Sequence, residues 1–205
     1  MRILLVERED AEGRNVMKKV LMSVGLILGL LALGALSLQV GVAQENEYGA
    51  LLKVLPNSKH QLADGIRQAT KSTEAPISAK FELDDNGKLS LSVYIAEKGL
   101  ASDAENNVLK ELSGSPEAAQ WSPEVEVFKD AEHLKRSAEQ QTLMALSTFS
   151  LLDIIARAEK EQRGRVFSIT PVVHDRKAEF VVLVADRDKV NELVYDIMTG
   201  KAVKH

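Results

Sequence analysis

Residues Leu62–Ala96 and Leu151–Ala185 can be laid over one another at a constant offset of 89 positions with no gap, and this self-similarity constrains the fold more than any other feature of the chain. Leu62/Leu151, Asp64/Asp153, Ile66/Ile155, Ala69/Ala158, Lys71/Lys160, Lys88/Lys177 and Ala96/Ala185 coincide. The phase of the pattern says more than the identities. Leu91, Val93 and Ile95 fall on Phe180, Val182 and Val184, so the same face of an alternating strand is apolar in both segments. The expectation is an α+β chain made of two copies of one small unit, each a helix packed on a three-stranded antiparallel sheet.

The second copy, residues 148–205, is the plainer of the two. Ser150 stands where a hydroxyl can satisfy a free amide of the first helical turn. Leu151, Ile154, Ile155 and Ala158 form the buried stripe, and Gly164 closes the helix. Arg165 to Val173 and Lys177 to Ala185 read as strands joined at His174-Asp175-Arg176. Val190 to Met198 reads as the third, followed by a turn at Thr199-Gly200.

In the first copy, residues 58–130, Ser58 and Gln61 fit a capping box that opens a helix from Lys59 to Ser72. Ile77 to Leu83 alternates, with Ile77, Ala79, Phe81 and Leu83 inward. Asn86-Gly87 predicts a two-residue hairpin turn with positive φ at both positions. The nearby Asp84 and Asp85 lack the ligand run of a calcium loop. An insertion, residues 97–121, reads as a short helix capped by Ser102 and Glu105, carrying Val108, Leu109 and Leu112 and closed by Gly114, with a loop after it. It holds the chain's one tryptophan, Trp121, read as a plug on the core and, in the alternative, as a partner contact. Glu124 to Phe128 is the expected third strand. Residues 131–147 form a connector helix whose narrow stripe is Ala131, Leu134, Ala138 and Ala145.

Ahead of these lie residues 1–16, 17–43 and a lead-in, 44–57. Val20 to Val42 is apolar almost throughout and follows Met17-Lys18-Lys19, the shape of an export signal with Met17 as the true first residue and residues 1–16 a start set too early. Gly41-Val42-Ala43 places small residues before a cut between Ala43 and Gln44. Left uncut, the same run is long enough to anchor the chain in a bilayer. Either way the remainder is expected outside the cytoplasm, in the periplasm or secreted, touching the membrane only through that segment. Residues beyond Ala43 carry 21 Lys and Arg against 26 Asp and Glu, which disfavours nucleic acid as a partner. The chain has no cysteine, so disulfides, zinc–thiolate sites and thiol nucleophiles are excluded.

Residues suited to catalysis do not converge in sequence. His60, His133, His174 and His205 form no pair at ligand spacing. Ser58, Ser102 and Ser150 are accounted for as helix caps, and no nucleophile elbow, phosphate loop or zinc-peptidase motif occurs. The carboxylate pairs Asp84/Asp85 and Asp186/Asp188 fall in solvated turns, a poor setting for acid–base work. No enzyme, cofactor or metal is expected.

The run Phe149-Ser150-Leu151, Asp153, Ile155, Ala158, two alternating strands, Tyr195-Asp196 and Thr199-Gly200-Lys201 resembles the PepSY domain. The likeness spans Phe149 to Lys204. It reaches the first copy only through the internal repeat, since no Thr-Gly ending follows Phe128. It implies a helix on an antiparallel sheet, action outside the cytoplasm, and a role in restraining or tuning an exported peptidase or another envelope protein; the family has no catalytic residues to carry over. A structural envelope scaffold that self-associates and a carrier of a small lipophile are the alternatives.

Overall fold

The computed structural model describes residues 48–203, so the readings of Met17, of the apolar run, of the Ala43–Gln44 cut and of His205 lie outside the described residues. After helical residues 48–54 and a 3-10 turn at Leu55–Asn57 come helix α1 (Leu62–Ala69) and strands β1 (Ala75–Leu83), β2 (Leu89–Ala96), β3 (Leu109–Gly114) and β4 (Glu124–Val127). Helices α2 (Ala131–Leu146) and α3 (Leu151–Glu161) follow, then β5 (Arg165–His174), β6 (Lys177–Asp186), β7 (Lys189–Asp196) and the two-residue β8 (Ala202–Val203). The fold is α+β. All eight strands join one antiparallel sheet in the order β4-β3-β2-β1-β5-β6-β7-β8, its two halves meeting where Ala79 pairs with Ile169 and Lys80 with Ser168.

Burial alternates along the inner strands as the apolar pattern requires. Leu91, Val93, Ile95, Phe180, Val182 and Val184 are all fully buried on one face. Helix α1 lies on that face, close enough that a Cβ added to Gly65 would stand 2.5 Å from Leu91 Cδ2. Helix α3 lies there too: Tyr195, cross-strand neighbour of Phe180, donates its hydroxyl to Glu161 at 3.1 Å. Both helices open with an aspartate in the third position that accepts the cap amide, Gln61 N to Asp64 Oδ2 at 3.1 Å and Ser150 N to Asp153 Oδ2 at 2.9 Å. The lead-in is fastened from the sheet. Arg165 donates to Leu55 O at 2.8 Å and to His60 O while its guanidinium covers the Phe81 ring.

Helix α2 crosses the opposite face. Ser78 pairs with Tyr94, three residues from Leu91 and therefore on the other side of the pleat. The Ser78 hydroxyl donates to Gln140 Oε1 of α2 at 2.8 Å within the interior. This explains a departure from the expected stripe: α2 buries Ser137, Gln140, Gln141, Leu143 and Met144 and exposes Ala131, Leu134 and Ala145. The sheet face it meets is polar, so the matching helix face is polar as well.

Four further expectations are corrected. The first helix begins at Leu62, not Lys59, because Gln61 and Asp64 form its cap; the Ser58 hydroxyl is used inside its own turn, donating to His60 O at 2.8 Å. The stretch expected to be a short helix in the insertion is strand β3, and β4, expected third, is fourth. Leu109 and Leu112 are buried on opposite faces of β3, opposite Ala96 and Val93, and a strand covered on both faces mimics the three-residue spacing of a helix. Ser102 precedes a single 3-10 turn, Ala104–Asn106, and Glu105 lies within it; the turn has no side-chain cap. The Asn86-Gly87 turn has positive φ only at Gly87, 71°, because Asp84 Oδ1 accepts from the amides of Asn86 and Lys88 and sets a wider loop. The tight turn with two positive φ values is instead Asp175-Arg176, at 48° and 64°.

The ungapped offset also slips by one residue in a single strand. The helix caps and β2/β6 keep an offset of 89, whereas buried Ile77, Ala79 and Phe81 match buried Phe167, Ile169 and Pro171 at 90. Gly164, just before β5, has φ 133°, and a Cβ there would lie 2.4 Å from Ala185 O, so glycine is required where the chain enters that strand.

Candidate functional site: an open sheet edge

Strand β4 is one end of the sheet and is exposed along its whole length. Pro123 leads into it and Trp121 secures the connection from β3. The tryptophan is 4 % exposed and its Nε1 donates to Gly114 O at 3.2 Å, so it is a core plug with no face turned to a partner. The ladder to β3 pairs Val127 with Lys110, Glu126 with Glu111, Val125 with Leu112 and Glu124 with Ser113. Phe128 N donates to Leu109 O at 3.1 Å. In an antiparallel ladder, bonded and non-bonded pairs alternate, so Glu126 and Glu124 turn their backbone groups toward β3 while the N–H and C=O of Val125 and Val127 point outward. These same two valines expose their side chains, 60 % and 45 %.

The other face of this edge is acidic. Glu126 lies directly across from Glu111, and like charges in that relation repel. Burial raises the Glu111 carboxyl above its ordinary range, and the charges of Glu82 and Glu126 add to this against the nearby Ser92 hydroxyl and the charge of Lys80. Lys80 is itself paired with Glu82, which also accepts from Ser92 Oγ at 2.7 Å. Tyr94, beside them, has its hydroxyl pushed far up by burial and by Glu111 and Glu82, so it stays protonated.

Elsewhere the polar groups serve packing. His60 is buried with Nε2 2.9 Å from Ala118 O; His133 stacks on Phe128 with Nδ1 2.7 Å from Asp130; His174 stands 3.9 Å from Glu179. Among the described residues no three His, Asp or Glu side chains are grouped to hold a metal ion. A cavity of about 210 Å³ lies among Ala75, Pro76, Leu100, Met144, Phe149 and Leu151. It is below the roughly 300 Å³ at which sites for small ligands begin. No helix of the described residues is long and apolar enough to cross a membrane.

The fold thus defines an α+β protein with a single antiparallel sheet. No family model matches the chain, and no curated protein is similar to it in sequence. It is similar to a crystal structure from Clostridium difficile 630 described as a "putative lipoprotein", with 16 % identity over 72 % of this chain and 92 % of that one, at a TM-score of 0.35. A likeness at that level bears on neither mechanism nor partner.

Proposed function

We propose that this chain is a non-enzymatic binding protein of the extracytoplasmic space, built from two PepSY-like units and acting on another envelope protein, an exported peptidase foremost. The observation that carries the binding reading is the β4 edge, where two adjacent outward-facing residues, Val125 and Val127, offer both backbone groups and apolar side chains to an extended segment. Duplication is supported by the helix caps 89 residues apart and by a strand order that runs outward from β1 on one side and from β5 on the other. Export rests on the apolar run after Met17-Lys18-Lys19.

A photo-crosslinking amino acid placed at Val125 in the native host tests this, with Glu192, exposed on β7, as the comparison site. The expected result is a discrete adduct with a second envelope polypeptide from position 125 and none from 192. Adducts only between copies of the chain would favour the scaffold. No adduct from position 125 would remove the edge as the binding site.

A further inference from the structure

We infer that the segment received by β4 alternates apolar side chains with lysine or arginine; this rests on the reading that the chain binds through that edge. A strand added beside β4 would bond to the outward N–H and C=O of Val125 and Val127. Its residues opposite them would share their face, where Val125 stands exposed beside buried Leu112 and Val127 beside Lys110, whose charge is already taken up by Glu74 and Glu97. Those residues are therefore apolar, since they close over apolar surface. The residues between them fall on the other face, beside Glu124 and Glu126, with Glu111 behind Glu126 across the β3–β4 ladder.

Among the described residues none of these three carboxylates has an ion-pair partner, and the lysine on the same face, Lys80, is paired with Glu82. A cation arriving beside Glu126 would relieve the repulsion between Glu126 and Glu111 and face a half-buried carboxylate that burial alone disfavours. The same charges argue against a second copy of this chain as the occupant. Two β4 edges laid together would set Glu124 and Glu126 of one against those of the other, which is how edge strands resist self-pairing.

Two blocked, labelled peptides of about seven residues, alternating valine with lysine and valine with glutamate, are titrated against the protein by fluorescence anisotropy at about 150 mM salt. The valine–lysine peptide is expected to bind at least ~10-fold more tightly. Val125→Pro removes an outward N–H without touching the bonds to β3, so it should keep the melting curve and abolish binding. Glu126→Lys keeps the strand and should shift preference toward the valine–glutamate peptide, which holds the test open if the proline variant misfolds. Equal binding of the two peptides, or no binding of either, overturns the charge rule; the edge reading then stands if Val125→Pro still removes the crosslinked adduct of the native host. Undiminished binding of the valine–lysine peptide by folded Val125→Pro shows attraction to the acidic surface at large and overturns the proposal.

Discussion

Lys110→Met is expected to destabilise the fold by about 3–5 kcal/mol, a fall of roughly 6–20 °C in melting temperature for a domain of this size. Lys110 Nζ lies 2.7 Å from Glu74 and 2.7 Å from Glu97, and its side chain is 9 % exposed, that of Glu74 only 4 %. Removing the cation leaves Glu74 charged and enclosed, and the cost of that stranded carboxylate dominates. Replacing Glu74 by glutamine in the same chain should therefore recover part of the loss.

The pH dependence of Lys110→Met has a definite sign. In the native protein, burial alone would raise the Glu74 carboxyl, but the hydrogen bond and charge of Lys110 and the Lys71 amide outweigh it and hold the group below its ordinary 4.5. Its contribution is then present above about pH 4.5 and is lost as pH falls through the lower folded value. Lys110 is displaced upward in spite of burial, by Glu74 and Glu97, so its contribution is present below 10.5 and is lost as pH rises through the higher folded value. In the variant, burial of Glu74 is opposed only by its weaker contacts. The deficit relative to the native protein should shrink as pH is lowered from 7 toward 4. Urea titrations at the two pH values would show it; an equal deficit at both, with no recovery from glutamine at 74, would mean that the lysine acts through its stem alone.

Ile155→Asp is expected to leave no cooperative melting transition at neutral pH. Ile155 is 1 % exposed at the centre of the α3 face that meets the sheet, and a carboxylate there has neither water nor a cation. Losses above 4–5 kcal/mol are rare and arise from burials of this kind, and a domain has only ~5–15 kcal/mol in all. Because the buried residues of both halves belong to one continuous core, both should lose structure together. Differential scanning calorimetry that kept one transition for the first half would show two independently folding units.

What could be read from the sequence follows from how one-sided each element is. Helix α3 has one apolar face and a Ser150–Asp153 cap, and its stripe Leu151, Ile154, Ile155 and Ala158 is the one buried. The β2 and β6 faces were legible for the same reason. Strand β3 was not, because Leu109 and Leu112 are covered from opposite sides and Lys110 lies between them, buried among carboxylates. Helix α2 was legible in extent but not in orientation, since hydropathy cannot mark Gln140 and Gln141 as interior residues. Their burial depends on Ser78 and on the carbonyl of Ser102, which Gln141 reaches at 2.5 Å.

The candidate site inherits these limits. That antiparallel strands leave an edge was apparent from the pattern, and Glu124–Val127, as the last strand of its unit, was already one; which strand it lies against was not, because 109–114 reads as helix. The opposition of Glu126 to Glu111 is a matter of register, and register becomes visible only when both partners are known to be strands.

The grip of Arg165 on the lead-in has a consequence for the order of events as the chain is made. Its guanidinium reaches back 110 positions to the carbonyl of Leu55, so a polypeptide emerging from its amino end has released β1, β2 and helix α2 before that clasp can close. Until then residues 48–60 remain open to proteases and chaperones, long after their own synthesis. Pulse proteolysis of nascent chains stalled at increasing length should find them resistant only once Arg165 has emerged; earlier protection would mean that Leu51 and Leu55 hold the segment in place without the arginine.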